Sequence, residues 1–399
     1  MALTFATKFW IKLGLTSVGG PAAQIAALED EAVQRQQWLT SEQFSKALGL
    51  CLFLPGPEAQ QLVAWIAWRM AGWPAAAWAS FLFIFPGLVL TGVAATLYHY
   101  GQQLPGLEFG LLGARAAIAG IIIVLSTRLF KATLVDETRK GAAVVSLLAT
   151  LFGVPFFFTA IVAGFYAWYV RPADEEPLGP VSDTLKLALQ KTLKALLPLG
   201  VIFLILWGVF GHHHGVVQLS EVSLLAVLTS FGGAYAALNL WRVRADHYHW
   251  LKEGVFGDAL VAGEITPGPL LLAGSFVGML AGWRGYLIEG QPMLGAAIGL
   301  ILPAIFTFVP STLIILSFAD LVDEGVTDRR FHDVIGMMSA VATGAILALG
   351  ISLLLGGFNA LWLNLFIAGL VVWVKLRWDV KVPWLVLAGA LISWFAHRN

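Results

Sequence analysis

The chain has 399 residues, of which 58% are hydrophobic and only 12% are charged. Because a soluble domain carries about 25% charged residues, a mean hydropathy of +0.80 excludes a soluble globular protein and indicates an integral membrane protein. The 24 basic and 24 acidic residues cancel and give no field that attracts nucleic acid, and the one cysteine, Cys51, excludes an internal disulfide and a thiolate metal cluster.

Apolar segments of two lengths follow one another along the chain, which predicts an all-α polytopic membrane protein. The long segments have the roughly 20 residues that a membrane-spanning helix needs, and the short ones fall below that length. The predicted long segments are Pro74–Tyr98, Leu107–Phe130, Leu187–Phe210, Pro292–Phe318 and Val334–Leu355. The predicted short segments of the first half are Glu42–Leu54, Glu58–Ala71, Ala142–Phe152 and Pro155–Val170, with counterparts in the second half.

The sequence also repeats itself. The string LTSVGGPAAQI (15–25) returns as LTSFGGAYAAL (228–238), and LPGP (54–57) returns as TPGP (266–269). Two further pairs, WL (38–39 and 250–251) and the AGW of RMAGW (71–73 and 281–283), keep the same order, at a spacing of 210 to 213 residues throughout. This pattern predicts an internal duplication.

A polar segment rich in proline and acidic residues, 171–183, separates the two copies. It is typical of a linker. We therefore predict an N-terminal repeat at residues 1–170, a linker plus one extra transmembrane helix at 171–215, and a C-terminal repeat at 216–399.

The segment Gln43–Leu54 is too short to cross about 30 Å of hydrocarbon at 1.5 Å per residue, and a Pro-Gly-Pro separates it from the next short helix. We therefore predict a hairpin of broken helices that enters the membrane and turns inside it. Irregular backbone is tolerated at that depth only where it is buried in protein or lines an aqueous cavity. The hairpin is thus expected to lie at a functional site.

The basic residues of the loops predict that the two repeats have opposite orientations. Loop 128–140 has four basic residues, whereas its counterpart 356–359 has none; loop 153–155 has none, whereas its counterpart 375–381 has three. By the positive-inside rule, corresponding loops then lie on opposite sides of the membrane. Inverted repeats with broken helices are the architecture of secondary transporters that work by alternating access. We expect a bacterial-type inner membrane and a cytoplasmic N-terminus.

The GGP and PGP motifs predict helix starts inside the membrane. Proline is tolerated at the first helical position, glycine permits the tight reversal before it, and the free N–H groups of a helix start bind anions. Up to four helix starts are expected to converge on a small anion. The predicted binding residues are Gly19, Gly20, Pro21, Pro55, Gly56, Pro57, Gln61, Gly232, Gly233, Pro267, Gly268 and Pro269.

The strings LGLTSVGGPAAQI, WLTSEQF, LFLPGPEAQQL, RMAGW and GEITPGPLLLAGSFVGMLAGW resemble the chromate ion transporter family over nearly the whole chain. The resemblance implies a two-domain inner-membrane carrier that exports chromate and also recognises sulfate. The second copy has Ala234 where the first has Pro21, so the first half is expected to contribute more to the site.

Charged residues inside apolar segments are costly and tend to face cavities. Glu58 follows Pro57 directly and Glu264 lies three residues before Pro267; either could couple proton movement to the anion, or Glu58 could simply offset its own helix dipole. Arg115 could supply charge to the substrate or extend to the interface. Arg69 could attract anions to the entrance or serve only as a solvated interfacial residue.

Other functions have weaker support in the sequence. His212-His213-His214 is expected to be a loop rather than a metal site, and no cofactor is predicted. A membrane enzyme would need a nucleophile with a base or a metal set, and no such spacing or nucleotide-binding loop is present. A carrier of another small inorganic or organic anion remains the alternative, since helix starts read charge and size. A homodimer is compatible with the sequence.

Overall fold

The computed structural model describes residues 2–18, 20–101, 104–154, 156–170, 181–230, 234–252, 254–320, 329–355 and 361–397. Within them the chain is helical and contains no strand, as the composition predicts. The helices are α1 (Ala2–Thr16), α2 (Gly20–Glu29), α3 (Ser41–Phe53), α4 (Glu58–Gly101), α5 (Leu107–Thr133), α6 (Glu137–Leu151), α7 (Phe156–Val170), α8 (Val181–Phe210), α9 (Gly215–Leu228), α10 (Ala234–His247), α11 (Val255–Ile265), α12 (Ala273–Trp283), α13 (Pro292–Ser317), α14 (Arg329–Leu355), α15 (Leu361–Trp378) and α16 (Val382–Ala396). A π-helical turn (Asp30–Arg35) extends α2, and a 3₁₀ turn (Leu270–Leu272) precedes α12.

Six helices of the described residues are long and apolar enough to cross a membrane, so the chain is an all-α polytopic membrane protein. The segments with that length and hydropathy are Glu58–Gly101, Leu107–Lys131, Leu185–Phe210, Pro292–Ser317, Gly336–Leu355 and Leu361–Trp378. Five of these helices match the five long segments predicted from the sequence, and each contains all or most of its predicted segment. The sixth, Leu361–Trp378, is longer than expected from its counterpart in the first half, α6.

The helices of the two halves follow each other in the same order. α1 to α3 correspond to α9 to α11, and α5 to α7 correspond to α14 to α16. Between these sets, the first half has the single long helix α4, and the second half has the pair α12 and α13. The helix α8 stands between the halves, where the sequence predicts one extra transmembrane helix, and only 6% of its apolar window is buried inside the protein.

The helix α4 is two helices joined at a sharp kink. Ala71 and Gly72 have non-helical backbone angles, with φ of −154° and +76°, and Pro74 follows two residues after Gly72. A left-handed φ suits glycine because it has no Cβ, and proline removes an amide donor from the ladder. The predicted short segment ending at Ala71 and the predicted long segment starting at Pro74 are therefore the two parts of α4, before and after this kink.

The corresponding helices α5 and α14 run antiparallel to each other. Near the end of α5, Thr133 lies 3.2 Å from Thr343 through their hydroxyl oxygens. Further back along α5, Ile122 packs against Gly350, where an added Cβ would lie 3.1 Å from the isoleucine side chain. An earlier residue of α5 therefore contacts a later residue of α14, which means that the two helices run in opposite directions. Two helices at equivalent positions of the two halves thus have opposite directions.

Glycines allow a close helix crossing between α12 and α13. Gly278 and Gly282 of α12 face Gly299 and Gly295 of α13, so that each helix carries a G-x-x-x-G pattern on the contact face. A Cβ added at Gly299 would lie 2.0 Å from the carbonyl oxygen of Gly278. Such crossings hold membrane helices together by backbone packing rather than by a hydrophobic driving force.

The substitution Gly299→Ala is expected to destabilise the protein by about 1–3 kcal/mol, because the new methyl group has only backbone to displace. The matched control is Gly208→Ala in α8, where nothing lies within 4 Å of an added Cβ and alanine is favoured over glycine in a helix by up to about 1 kcal/mol. The measurement is the thermal unfolding midpoint of both purified variants in detergent. Equal midpoints would show that the crossing tolerates a Cβ.

Candidate functional site

The first Pro-Gly-Pro turn joins α3 to α4 and is packed inside the protein. Gly56 has φ of +137°, and an added Cβ would lie 2.4 Å from Gln61 Nε2 and from Ser311 Oγ. Gln61 in turn donates to the carbonyl oxygen of Pro55 at 2.8 Å. The turn is therefore held by its own hairpin on one side and by α13 of the second half on the other.

The second Pro-Gly-Pro turn, between α11 and the 3₁₀ turn, has the reciprocal arrangement. Gly268 has φ of +106° and lies against Gly87 of α4, where a Cβ on either glycine would lie 3.1 Å from the other Cα. Gln24 of α2 donates to the carbonyl oxygen of Gly268 at 2.8 Å, and the Gly268 amide donates to Ser17 O at 3.3 Å. Each turn thus contacts a long helix of the opposite half.

A cavity of about 260 Å³, here called the central cavity, lies between the two halves. It is lined by the buried side chains of Glu58, Glu264 and Tyr235. Arg128 and Lys375 also belong to its wall. The Arg128 side chain is 57% exposed, so the cavity reaches the surface of the protein beside Arg128, at what is here called its mouth.

Three of the helix starts predicted from the sequence line the central cavity. α2 begins at Gly20 and α4 at Glu58, and α10 begins at Ala234, and all three residues contribute to the cavity wall together with Pro21. The first amide groups of a helix have no partner within the helix, and they carry about half a positive charge. Three of the four predicted helix starts therefore surround one space, and this is the arrangement that binds anions elsewhere.

Two buried carboxyl groups lie on the wall of the central cavity. Glu58 stands in the first turn of α4, and its Oε2 has no hydrogen-bond partner within the described part of the chain. Glu264 stands in the last turn of α11 and accepts a hydrogen bond from the Tyr235 hydroxyl. Both residues are less than 10% exposed. An ionised carboxylate there would repel an anion in the same cavity, so their protonation matters for what the cavity can hold.

Basic residues and one acid form the mouth of the central cavity. Lys375 Nζ lies 2.9 Å from Asp379 Oδ1, and Arg128 Nη2 lies 3.3 Å from the same oxygen. Asp379 is in the turn between α15 and α16, where the hydrogen bond from Lys375 and the nearby Arg128 guanidinium lower the pKa of its carboxyl. The mouth therefore carries two cations against one anion.

The other predicted site residues lie elsewhere. The residues of both Pro-Gly-Pro turns and Gln61 are outside the wall of the central cavity, which includes their chain neighbours Glu58 and Glu264. Gly19, Gly232 and Gly233 lie outside the described residues. The Arg69 guanidinium packs over the Trp65 ring at 5.7 Å. His212-His213-His214 is a loop, as predicted, and His214 caps α9.

Arg115 has a partner that neither sequence interpretation included. Its Nε and Nη2 each lie 2.5 Å from an oxygen of Asp258, which is buried. Sequence reasoning overlooked Asp258, because its role depends on a helix 143 residues away. It also missed Tyr235, although this residue follows the repeated GG motif, and it treated Lys375 and Arg128 only as loop charges.

The described residues form a polytopic helical membrane protein with a cavity between its halves that holds buried carboxyl groups, which is the class of architecture that membrane transporters use. The family model named chromate transporter matches residues 5–168 and 217–394. The chain therefore belongs to the chromate transporter family.

Curated relatives cover nearly the whole chain. It is 28% identical to a chromate transport protein of Pseudomonas aeruginosa, over 98% of this chain and 91% of the relative. It is 26% identical to a chromate transport protein of Cupriavidus metallidurans, over 87% and 84%, and 24% identical to an uncharacterized transporter of Methanocaldococcus jannaschii, over 86% and 82%. No solved structure matches the chain.

The substitution Tyr235→Phe is expected to destabilise the protein by about 1–3 kcal/mol, because it removes a donor from the buried Glu264 carboxyl. The matched control is Tyr100→Phe, since Tyr100 is 64% exposed. The measurement is again the thermal unfolding midpoint in detergent. If the two tyrosine variants unfold at the same temperature, the hydroxyl of Tyr235 contributes nothing to the stability of the site.

Proposed function

We propose that this protein is a secondary transporter that exports chromate across a bacterial-type inner membrane by alternating access. The transported anion is held in the central cavity by the helix starts and is replaced there by sulfate when sulfate is abundant. The observation that carries the proposal is the convergence of the starts of α2, α4 and α10 on one cavity between the two halves. The names of the curated relatives, which are transport proteins, support a carrier rather than an enzyme.

The charge of the cavity supports an anion as the substrate. Backbone amides at helix starts hold an oxyanion without a matching set of buried cations, and the mouth offers Arg128 and Lys375 to attract it. Chromate and sulfate have the same charge and nearly the same tetrahedral shape, so backbone amide groups bind both in the same way. An organic anion of similar size is the alternative substrate, and competition experiments distinguish the two.

The fold supports two inverted repeats with the bounds 1–170 and 216–399, joined by α8 through 171–215. The antiparallel directions of α5 and α14 and the equal order of the helices agree with this division, and the family match falls into one segment in each half. Rocking of one repeat against the other would then expose the cavity to each side in turn.

The distribution of basic residues supports a cytoplasmic mouth for the central cavity. The ion pair between Arg128 and Asp379 brings loops 128–140 and 375–381 to the same end of the molecule, and these loops carry the basic residues that the positive-inside rule assigns to the cytoplasm. The N-terminus is also cytoplasmic in our proposal, as the sequence predicts.

Glu58 and Glu264 are our candidates for coupling. A dianion and an ionised carboxylate repel each other strongly in a cavity of low dielectric constant, so a proton taken up by Glu58 or Glu264 would favour binding of the anion. Movement of the loaded cavity would then carry both proton and anion. The competing role of Glu58 is to offset the dipole of α4, and the two roles predict different transport behaviour.

The direct test is transport of labelled chromate by purified protein in lipid vesicles. We expect chromate to move only in vesicles that contain the protein, and an excess of sulfate to reduce the rate several-fold by competition for the same amides. Vesicles sorted by orientation give the direction of transport. Inhibition by small organic anions but not by sulfate would support the alternative substrate class, and the absence of any anion movement would contradict the proposal.

The substitution Glu58→Gln is expected to abolish the dependence of chromate transport on a pH gradient, because the amide keeps the shape of the side chain but binds no proton. The matched control is Glu42→Gln in α3, where the side chain is 76% exposed and pairs only with Lys46 among the described residues. Transport rates are measured with and without an imposed gradient. A Glu58→Gln variant that still responds to the gradient leaves Glu58 with the helix-dipole role alone.

A further inference from the structure

A second cavity, of about 400 Å³, lies at the opposite end of the helices that form the central cavity. α5 lines the central cavity with Ile121 and the second cavity with Arg115. In the same way, α15 contributes Lys375 to one and Asn364 to the other, and α10 contributes Ala234 to the central cavity and Asp246 to the second. The two cavities are therefore stacked along the same helices, facing opposite ends of the molecule.

The second cavity reaches the surface and has a polar wall. His249 and Asp246 are exposed residues on its wall, and Arg115 and Arg242 add two guanidinium groups deeper in. This mixture of cations and one acid does not resemble the apolar grooves in which lipid chains lie. It is suited to water and to a small hydrated anion.

A buried ion pair lies at the inner end of the second cavity. Asp258 of α11 accepts two hydrogen bonds from Arg115, at 2.5 Å each, and a third from the Tyr98 hydroxyl at 2.8 Å. Bidentate pairs of this kind are the strongest hydrogen-bonded contacts between side chains. Tyr98 and Arg115 belong to the first half and Asp258 to the second, so the pair joins the two halves directly.

The start of α11 is shaped around the Arg115 side chain. A Cβ added at Gly254 would lie 2.8 Å from Arg115 Nη1, and one added at Gly257 would lie 2.9 Å from Arg115 Cδ. The arginine therefore lies across this helix start with no room left between them. Any movement of α11 away from α5 must break the pair, and Glu264 at the other end of α11 moves with it.

We propose that the second cavity is the other mouth of the anion path, and that Arg115, Asp258 and Tyr98 form the gate that closes it. This proposal rests on the proposed transport function. Ile121 is six residues from Arg115 along α5, about 9 Å at 1.5 Å per residue, so the gate is a thin layer between the cavities. When the halves separate, an oxyanion can take the place of the Asp258 carboxylate on the Arg115 guanidinium.

The test is the accessibility of single cysteines to a charged, membrane-impermeant thiol reagent, applied to each side of oriented vesicles. The natural Cys51 is 1% exposed, so the unmodified protein provides the background. Ile121→Cys reports the central cavity and Ser352→Cys reports the second cavity, whose wall includes Ser352. With the gate intact and no transported anion present, we expect Ile121→Cys to react at least several-fold faster from the side of Arg128 and Lys375, and Ser352→Cys at least several-fold faster from the other side.

Opening the gate should change this pattern. We expect Asp258→Asn to make Ile121→Cys react from the second side as well, at least several-fold above background, because the isosteric amide lacks the charge that holds Arg115. The double variant Arg115→Asp with Asp258→Arg reverses the two charges and keeps the ion pair. It should restore labelling from one side, which would also show that this double variant folds. Asp320→Asn, which removes an exposed ion pair with Lys191, is the matched control and should leave the pattern unchanged.

The outcomes separate the gate from the substrate. The gate proposal is wrong if Asp258→Asn does not make Ile121→Cys react from the second side. It is also wrong if Ser352→Cys reacts from the same side as Ile121→Cys. Both conclusions hold even when the vesicles transport chromate. If the labelling switches as expected but no chromate moves, the gate stands and the proposed substrate is wrong. Labelling requires no transported anion, so the two results are independent.

Discussion

The peptide groups at the broken helices are the constraint on which the rest of this structure depends. A helix that starts or ends within a bilayer exposes amide or carbonyl groups that lipid cannot satisfy. In this protein the Pro-Gly-Pro turns that carry these ends are packed against the opposite half, through Gly56 with Ser311 and Gly268 with Gly87. The amides at the starts of α2, α4 and α10 face the central cavity instead. The same constraint that forbids exposure to lipid thus concentrates polar backbone at one place.

Glycine makes this reciprocal packing possible. A side chain at Gly87 would meet the carbonyl oxygen of Pro267 at 2.5 Å, and the crossing of α12 with α13 depends on four facing glycines. Contacts of this kind hold the backbones close without strong attraction between side chains. Polar contacts also join the two halves, among them those of Gln24 with Gly268, Gln60 with Thr312 and Arg115 with Asp258.

Electrostatics divides the interior into functional parts. Carboxyl groups lie where the helix starts converge, cations lie at the mouth beside Asp379, and the Arg115–Asp258 ion pair lies beside the second cavity. A charge in a membrane interior is retained where it serves a path or pairs with another charge. In our proposal Glu58 and Glu264 belong to the first kind. Arg115 and Asp258 are paired in this structure, and in our proposal they also lie along the path.

The sequence alone determined the membrane class, the positions of nearly all helices, and the breaks at Pro55–Pro57 and Pro267–Pro269, because hydropathy, proline and glycine act over a few residues. It also predicted that Glu58 and Glu264 lie near one site, since each is within three residues of a break. Only the tertiary structure decided that the turns lie outside the cavity wall, that Tyr235 donates to Glu264, and that Arg115 pairs with Asp258. The physical reason is that a buried charge selects its partner by the packing of distant helices, and Arg115 lies 143 residues from Asp258 in the chain.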